Sequence, residues 1–209
     1  MQRGRFISVE GIEGVGKSTH IAALVNEIRN AGHEVLTTRE PGGTPVAEDI
    51  RNLLQNRDDE PIPEITELLL MFAARSLNVN NVIVPALNAG KWVISDRFTD
   101  SSRAYQGGGR GLPMETIDEL ARWVHEDVWP DVTLLLDAPA EIGLARMNSR
   151  GTPDRIEQEK QEFFERVRLC YLDIAAREPE RFIIVDTCRE LAAVEADVIA
   201  IAQQILSNN

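Results

Sequence analysis

The segment Glu10-Gly11-Ile12-Glu13-Gly14-Val15-Gly16-Lys17-Ser18-Thr19 has the spacing G-x-x-x-x-G-K-[ST]. Glycines so placed let the backbone wrap until its N–H groups point at phosphates. A helix starting just after them adds its positive N-terminus. Lys17 is expected at the β/γ-phosphates and the Ser18 hydroxyl on Mg²⁺. This pattern says nucleoside triphosphate binding and leaves the reaction open.

Further groups suited to anions and polar rings recur downstream. Arg39 enters the turn Thr38-Arg39-Glu40-Pro41-Gly42-Gly43-Thr44, and Arg51 follows. Arg75 interrupts the apolar run Met71-Phe72-Ala73-Ala74, where a charge is costly unless it is paired or faces an anion. Phe72 fits plain core packing as well. In Ser95-Asp96-Arg97-Phe98, Asp96 could hold Mg²⁺ through water and Arg97 could bridge phosphates; a buried structural ion pair is the alternative. Ser101, Ser102, Tyr105 and Gln106 offer hydroxyls and an amide to a base or sugar, or to local turn bonds. The run Arg146–Glu157 is broken by Gly151 and Pro153 and carries Arg150 and Arg155. It has the length of a mobile lid, although charged loops are usually just solvated.

Alternating elements must position these groups. Phe6–Val9, Glu34–Thr38, Lys91–Ser95, Val132–Leu136 and Arg181–Val185 are short β-rich runs, several of them nearly all apolar as buried parallel strands tend to be. Helical periodicity marks Ser18–Asn30, Pro45–Gln55, Ile65–Ala89, Glu115–His125, Ala140–Asn148, Ile156–Glu178 and Glu190–Leu206. This alternation predicts an α/β fold with a mostly parallel sheet flanked on both faces, and a ligand site at the strands' carboxyl ends.

Composition narrows the function classes. Lys plus Arg number 22 against 34 Asp plus Glu, a formal charge of −12. That balance argues against a coat for polymeric nucleic acid and against a polybasic membrane binder. The basic residues are 19 Arg and 3 Lys, which fits either composition bias or a need for planar anion-gripping groups. Cys170 and Cys188 lack metal or disulfide-framework spacing and read as reduced thiols. The three histidines form no ligand cluster, and the start of the chain has no signal-peptide pattern. A cytoplasmic protein is expected.

Taken together, the four motifs Glu10–Thr19, Thr38–Thr44, Asp96–Gly107 and Asp154-Arg155-Ile156-Glu157 resemble bacterial thymidylate kinase, in order along essentially the whole chain. The resemblance implies a P-loop nucleoside-monophosphate-kinase-like fold, three layers α/β/α around a five-stranded parallel sheet. It implies one domain over 1–209 with a lid at about 148–160. The implied reaction transfers the γ-phosphoryl of ATP to thymidine monophosphate (dTMP) with Mg²⁺, giving the diphosphate for DNA precursor synthesis. The implied partners are small nucleotides and a second copy of the chain in a cytoplasmic homodimer, with no nucleic-acid polymer and no membrane.

Carried over by position, Gly11, Ile12, Glu13, Gly14, Val15, Gly16, Lys17, Ser18 and Thr19 would cradle ATP. Lys17, Arg97, Arg150, Arg155 and Glu13 would be catalytic, and Ser18 and Asp96 would face Mg²⁺. Arg39, Arg75 and Arg97 would bind the acceptor phosphate and the transferring group. Glu40 and Arg51 would line the acceptor site, with Ser101, Ser102, Tyr105 and Gln106 toward thymine and sugar. The loop interior Ile12-Glu13-Gly14-Val15 carries no base, so the chain resembles the class whose catalytic arginine sits in the lid. Many family members place an aromatic four residues before the helix arginine. Here that position is Met71, with Phe72 three before, and either could cover the base. Asn78, Asn80 and Asn81 are unusual for such a helix. A kinase for another nucleoside or nucleotide, or a nucleotide-holding module without transfer, is the competing reading. The acceptor-side and lid motifs argue against the module.

Overall fold

The computed structural model describes residues 3–56, 60–147 and 154–207. Five strands form: β1 (Phe6–Glu10), β2 (Val35–Arg39), β3 (Trp92–Asp96), β4 (Val132–Asp137) and β5 (Phe182–Asp186). Each of their limits lies within a residue of the sequence expectation. They make one parallel sheet in the order β2-β3-β1-β4-β5. Central β1 is buried along its whole length. The register sets Val9 and Arg39 beside Asp96, and Asp137 beside Asp186. Charged residues therefore cluster at the carboxyl ends of the strands, where such sheets bind ligands.

The helices are α1 (Lys17–Asn30), α2 (Pro45–Asn56), α3 (Glu64–Asn78), α4 (Val84–Asn88), α5 (Thr99–Ser102), α6 (Met114–His125), α7 (Ala140–Met147), α8 (Gln161–Arg177) and α9 (Leu191–Ser207). Side chains alternate across a strand, so Ile7 and Phe6 look opposite ways. Ile7 and Val9 join a core with Leu24 and Ile28 of α1 and Val198 and Ala202 of α9. Phe6 and Val93 pack instead with Ile83, Leu87 and Phe98. Both faces of the sheet are thus covered, as expected.

The stretch expected as one helix over Ile65–Ala89 is interrupted by a π-helical turn at Val79–Ile83. Pro85 follows in the first turn of α4. Its missing N–H and its ring disturb the preceding turn, and widening that turn relieves the clash. Asn80 then donates Nδ2 to the Ser76 carbonyl at 2.8 Å, which accounts for one of the unusual asparagines. The span Glu64–Asn88 is long and apolar enough to cross a membrane, with mean hydropathy 1.3. Here one face of it is buried and carries the ion-paired Glu67 and Arg75.

A second π-helical stretch, Arg103–Gly109, follows α5 and packs along α8. The helix expected from Ile156 begins only at Gln161. The cause is local. Asp154 Oδ1 accepts the N–H groups of Ile156 and Glu157 at 2.9 Å each, and Glu157 Oε2 accepts the N–H of Asp154 at 3.0 Å. This reciprocal capping closes a separate turn before α8.

Candidate active site

The loop between β1 and α1 has the backbone its glycines predict. Gly14 has φ 76°, and a Cβ there would lie 1.9 Å from the Gly143 carbonyl oxygen of α7. Gly16 (φ 89°) precedes α1 in the left-handed region. The N-terminus of α1 has no side-chain cap and no acid in its first turn. Its free N–H groups and dipole suit an anion. Lys17 Nζ donates to the carbonyls of Gly11 (3.1 Å) and Ile12 (3.0 Å). Burial, with Arg97 beside it, lowers its ammonium to about 8.

Arg97 follows β3 with φ 72°, an uncommon state for a residue with a Cβ. Its Nη2 donates to Glu13 Oε1 (2.7 Å) and the Tyr105 hydroxyl (2.9 Å). Its Nη1 donates to Gly11 O (2.9 Å), Ser101 Oγ (3.2 Å) and the Tyr171 hydroxyl (3.2 Å). The ion-pair partner of Arg97 is thus Glu13. The neighbouring Asp96 leaves Oδ1 buried and without a hydrogen-bond partner. Glu10, at the end of β1, accepts from the Phe98 N–H (2.7 Å), Ser101 Oγ (2.6 Å) and the Tyr171 hydroxyl (2.8 Å). Burial, aided by the charge of Asp100, raises its carboxyl to about 7.

Across the cleft, Arg75 and Glu40 are each 2% exposed in their side chains and pair at 2.6 Å. Arg75 Nη2 also donates to Phe98 O and Ser102 Oγ, and its guanidinium lies 4.5 Å from the Phe72 ring centroid. Nη1 of Arg75 is buried without a partner, a donor left free beside the cleft. Asn78 donates to Glu40 Oε1 at 3.1 Å and accepts from Thr38 Oγ1 at 2.8 Å. A second unusual asparagine therefore holds the partner of Arg75.

A cleft of about 310 Å³ gathers most of the expected residues. Glu13, Gly14, Gly16, Lys17 and Ser18 line its loop side. Asp96, Arg97, Ser101, Ser102, Tyr105 and Gln106 line its floor. Arg39, Glu40, Arg51, Met71 and Arg75 line the far wall. Arg39 lies at the rim, half exposed and paired with Glu48 at 2.7 Å. Arg51 donates to Pro41 O at 3.0 Å, and burial together with nearby Arg39 lowers its guanidinium below the usual range.

Several expected positions lie elsewhere. Ile12 and Val15 turn their side chains into the core, Gly11 lies behind them, and Thr19 is exposed on α1. Phe72 does not line the cleft; it packs with Leu68, Ile117 and Ala121 between α3 and α6. Met71 lines the cleft instead, because consecutive helix residues point about 100° apart. Arg155 also does not reach the cleft. Its guanidinium is held by Glu67 Oε2 and by Leu54 O at 2.8 Å, since buried Glu67 offers a stronger partner than solvent. Arg150 lies outside the described residues.

Other residues of the site were not foreseen. Glu10 and Glu67 had a faint signal, an acid within an apolar run. Tyr171 had none, because it sits on the buried stripe of α8 like any core aromatic. Glu67 accepts from Gln106 Nε2 (2.8 Å), Arg110 and Arg155. Burial opposes its charge, but these donors outweigh burial and hold its carboxyl below the usual range.

The comparisons agree with this geometry. The family model for thymidylate kinase matches residues 9–198. A thymidylate kinase of Methylobacillus flagellatus is 50% identical over 202 residues, covering 97% of this chain and 98% of the relative. One from Nitrosomonas europaea is 49% identical over 208 residues, covering 100% and 96%. A crystal structure of thymidylate kinase from Ehrlichia chaffeensis superposes with TM-score 0.78 at 34% identity, covering 96% of this chain and 99% of that one. With its phosphate loop, its arginine-bearing floor and far wall, and relatives matched from end to end, the chain belongs to the thymidylate kinase family.

Proposed function

We propose that the cleft transfers the γ-phosphoryl group of ATP to dTMP, giving dTDP and ADP. The observation that carries the reading is the pairing of an uncapped, acid-free helix N-terminus at Lys17 with a second, arginine-bearing wall facing it. One side suits a triphosphate, and the other suits a nucleotide acceptor. Phosphoryl transfer passes through a loose transition state, so positioning and charge neutralisation supply most of the catalysis. Lys17 would exchange the Gly11 and Ile12 carbonyls for phosphate oxygens, and Arg97 would bridge the two nucleotides. Arg75 would offer its free Nη1 to the acceptor. Met71 would cover the acceptor base.

The residues present fit Mg²⁺: an exposed serine hydroxyl at the start of α1 and a carboxylate with an orphaned buried oxygen, Ser18 and Asp96. When bound, the ion would neutralise charge on the phosphate oxygens. Arg150 and Arg155 would add charge from the lid, Arg155 by exchanging Glu67 and Leu54 for phosphate. A homodimer in the cytoplasm, with no membrane and no nucleic-acid polymer as partner, completes the reading. Exposed Ile65 and Leu69 on α3 and Trp123 on α6 supply apolar surface for a second copy.

The test is product formation from ATP with a panel of acceptors. dTDP should form fastest; preference for guanylate, cytidylate or a nucleoside would overturn the acceptor assignment. Arg150→Ala and Arg155→Ala probe the lid. The one acting in the transition state should cost about 10³-fold or more in turnover, and losses within a few-fold at both positions would remove the lid arginines from the mechanism.

A further inference from the structure

Glu10 is a fully buried carboxylate directly beneath the cleft, and the mechanism above gives it no task. It stands at the end of the central strand and holds three donors from two other parts of the chain. The first is the N–H of Phe98, at 2.7 Å. Phe98 follows Arg97, whose left-handed φ of 72° is strained for a residue with a Cβ. Arg97 itself donates its N–H to Val9 O at 3.0 Å. Two successive backbone donors are thus anchored on the last two residues of β1, and the strained turn between them is held in place.

The other two donors are the hydroxyls of Ser101 (2.6 Å) and Tyr171 (2.8 Å). In its ionised form Glu10 only accepts. The two hydroxyl oxygens also lie 2.7 Å from each other; whichever gives its proton to Glu10 and whichever bridges the pair, each keeps a lone pair for another donor. The group on their other side is Arg97 Nη1, 3.2 Å from both oxygens. The hydroxyls therefore act as oriented acceptors for the guanidinium. Glu10 itself makes no bond to Arg97 and does not line the cleft.

We propose that Glu10 is a positioning residue for phosphoryl transfer: it fixes the turn at Arg97 and, through the Ser101 and Tyr171 hydroxyls, aims the Arg97 guanidinium into the cleft. This rests on the reading of Arg97 as a contact to the transferring phosphoryl group. A residue acting this way changes kcat more than substrate affinity, because small errors in placement tell chiefly in the transition state.

The experiment compares wild type, Glu10→Ala, Glu10→Gln and Tyr171→Phe in steady-state kinetics with ATP and dTMP, with the folded fraction measured by circular dichroism. Glu10→Ala removes both halves of the arrangement and should lower kcat per folded molecule on the order of 10- to 100-fold, with both KM values nearly unchanged. Glu10→Gln keeps an oxygen for the Phe98 N–H but presents a donor to the hydroxyls, so its kcat should fall between those of Glu10→Ala and wild type. Tyr171→Phe removes one oriented acceptor and should lower kcat by a smaller factor, again without a rise in KM.

A Glu10→Ala protein with wild-type kcat, or losses confined to KM, would overturn the proposal. So would a Glu10→Gln protein no better than Glu10→Ala. Should Glu10→Ala not fold, Tyr171→Phe decides: lowered kcat at constant KM supports the proposal, and unchanged kcat overturns it. A wild-type protein that forms no dTDP would instead refute the proposed reaction, which keeps the two failures apart.

Discussion

Two walls of the same cleft solve the problem of housing arginine in opposite ways. On the acceptor wall, Arg75 and Glu40 are both almost wholly buried and enclosed by Asn78, Ser102 and the rings of Phe72 and Phe98. On the loop wall, Arg97 and Glu13 are about 15% exposed and share their bonds with two backbone-anchored segments and three hydroxyls. The acceptor pair is closed, with a single free donor. The loop pair lies on the cleft surface, where an incoming phosphate can take over some of its bonds. The lesson is that one ion-pair type gives rigidity when sealed and adaptability when it borders the ligand.

That contrast can be broken experimentally. Removing one member of a sealed pair leaves an uncompensated buried charge, so Glu40→Ala should lose about 3–5 kcal/mol of stability in urea unfolding. On the loop wall the large effect should be kinetic. Lys17→Ala should reduce turnover by about 10²- to 10³-fold, with the circular dichroism of the folded protein retained. Glu13→Ala should cost only about 1 kcal/mol or less of stability, because Arg97 keeps the Gly11 carbonyl and its hydroxyl partners. Equal destabilisation by Glu13→Ala and Glu40→Ala would erase the distinction between the walls.

The sharpest comparison is read in pH. Glu10, raised to about 7, binds a proton more readily in the folded than in the unfolded chain. Between pH 4.5 and about 7 the folded state therefore holds more protons, and stability falls as pH rises through that window. Glu67 is shifted downward, so its stabilisation is present above its unfolded value and is lost as pH falls through its folded value. Glu10→Gln should flatten the neutral limb by about 1–3 kcal/mol, and Glu67→Gln should flatten the acid limb. Denaturant midpoints measured from pH 4 to 8 give both slopes.

The phosphate loop was legible because its chemistry is local. The residues that wrap a phosphate are consecutive, and Gly14 and Gly16 adopt the positive φ angles their spacing implied. The strands were legible for the same reason, since most are short apolar runs and each ends on a charge. The choice between Met71 and Phe72 was not. Both are apolar and adjacent on one helix, and only the packing of α3 against α6 shows that Phe72 is the core residue. Arg155 was read as facing phosphate; in the structure it faces Glu67, a partner 88 positions away that no spacing rule connects to it. The π-helical turn at Val79–Ile83 was missed because it keeps the helical hydrophobic pattern and differs only in the width of the turn, whereas Arg103–Gly109, with its three glycines, shows no helical pattern.

The sequence by itself determined the parallel α/β arrangement, the phosphate loop and the presence of arginines at two strand ends and on an apolar helix, since each depends on neighbours within one element. Tertiary structure decided what those arginines do. It sealed Arg75 against Glu40, opened Arg97 to the cleft over Glu13, and set Glu10 beneath it with Tyr171, 161 residues away. Burial and long-range hydrogen bonding determine the state and aim of a charged group, and neither is visible until the chain has closed on itself.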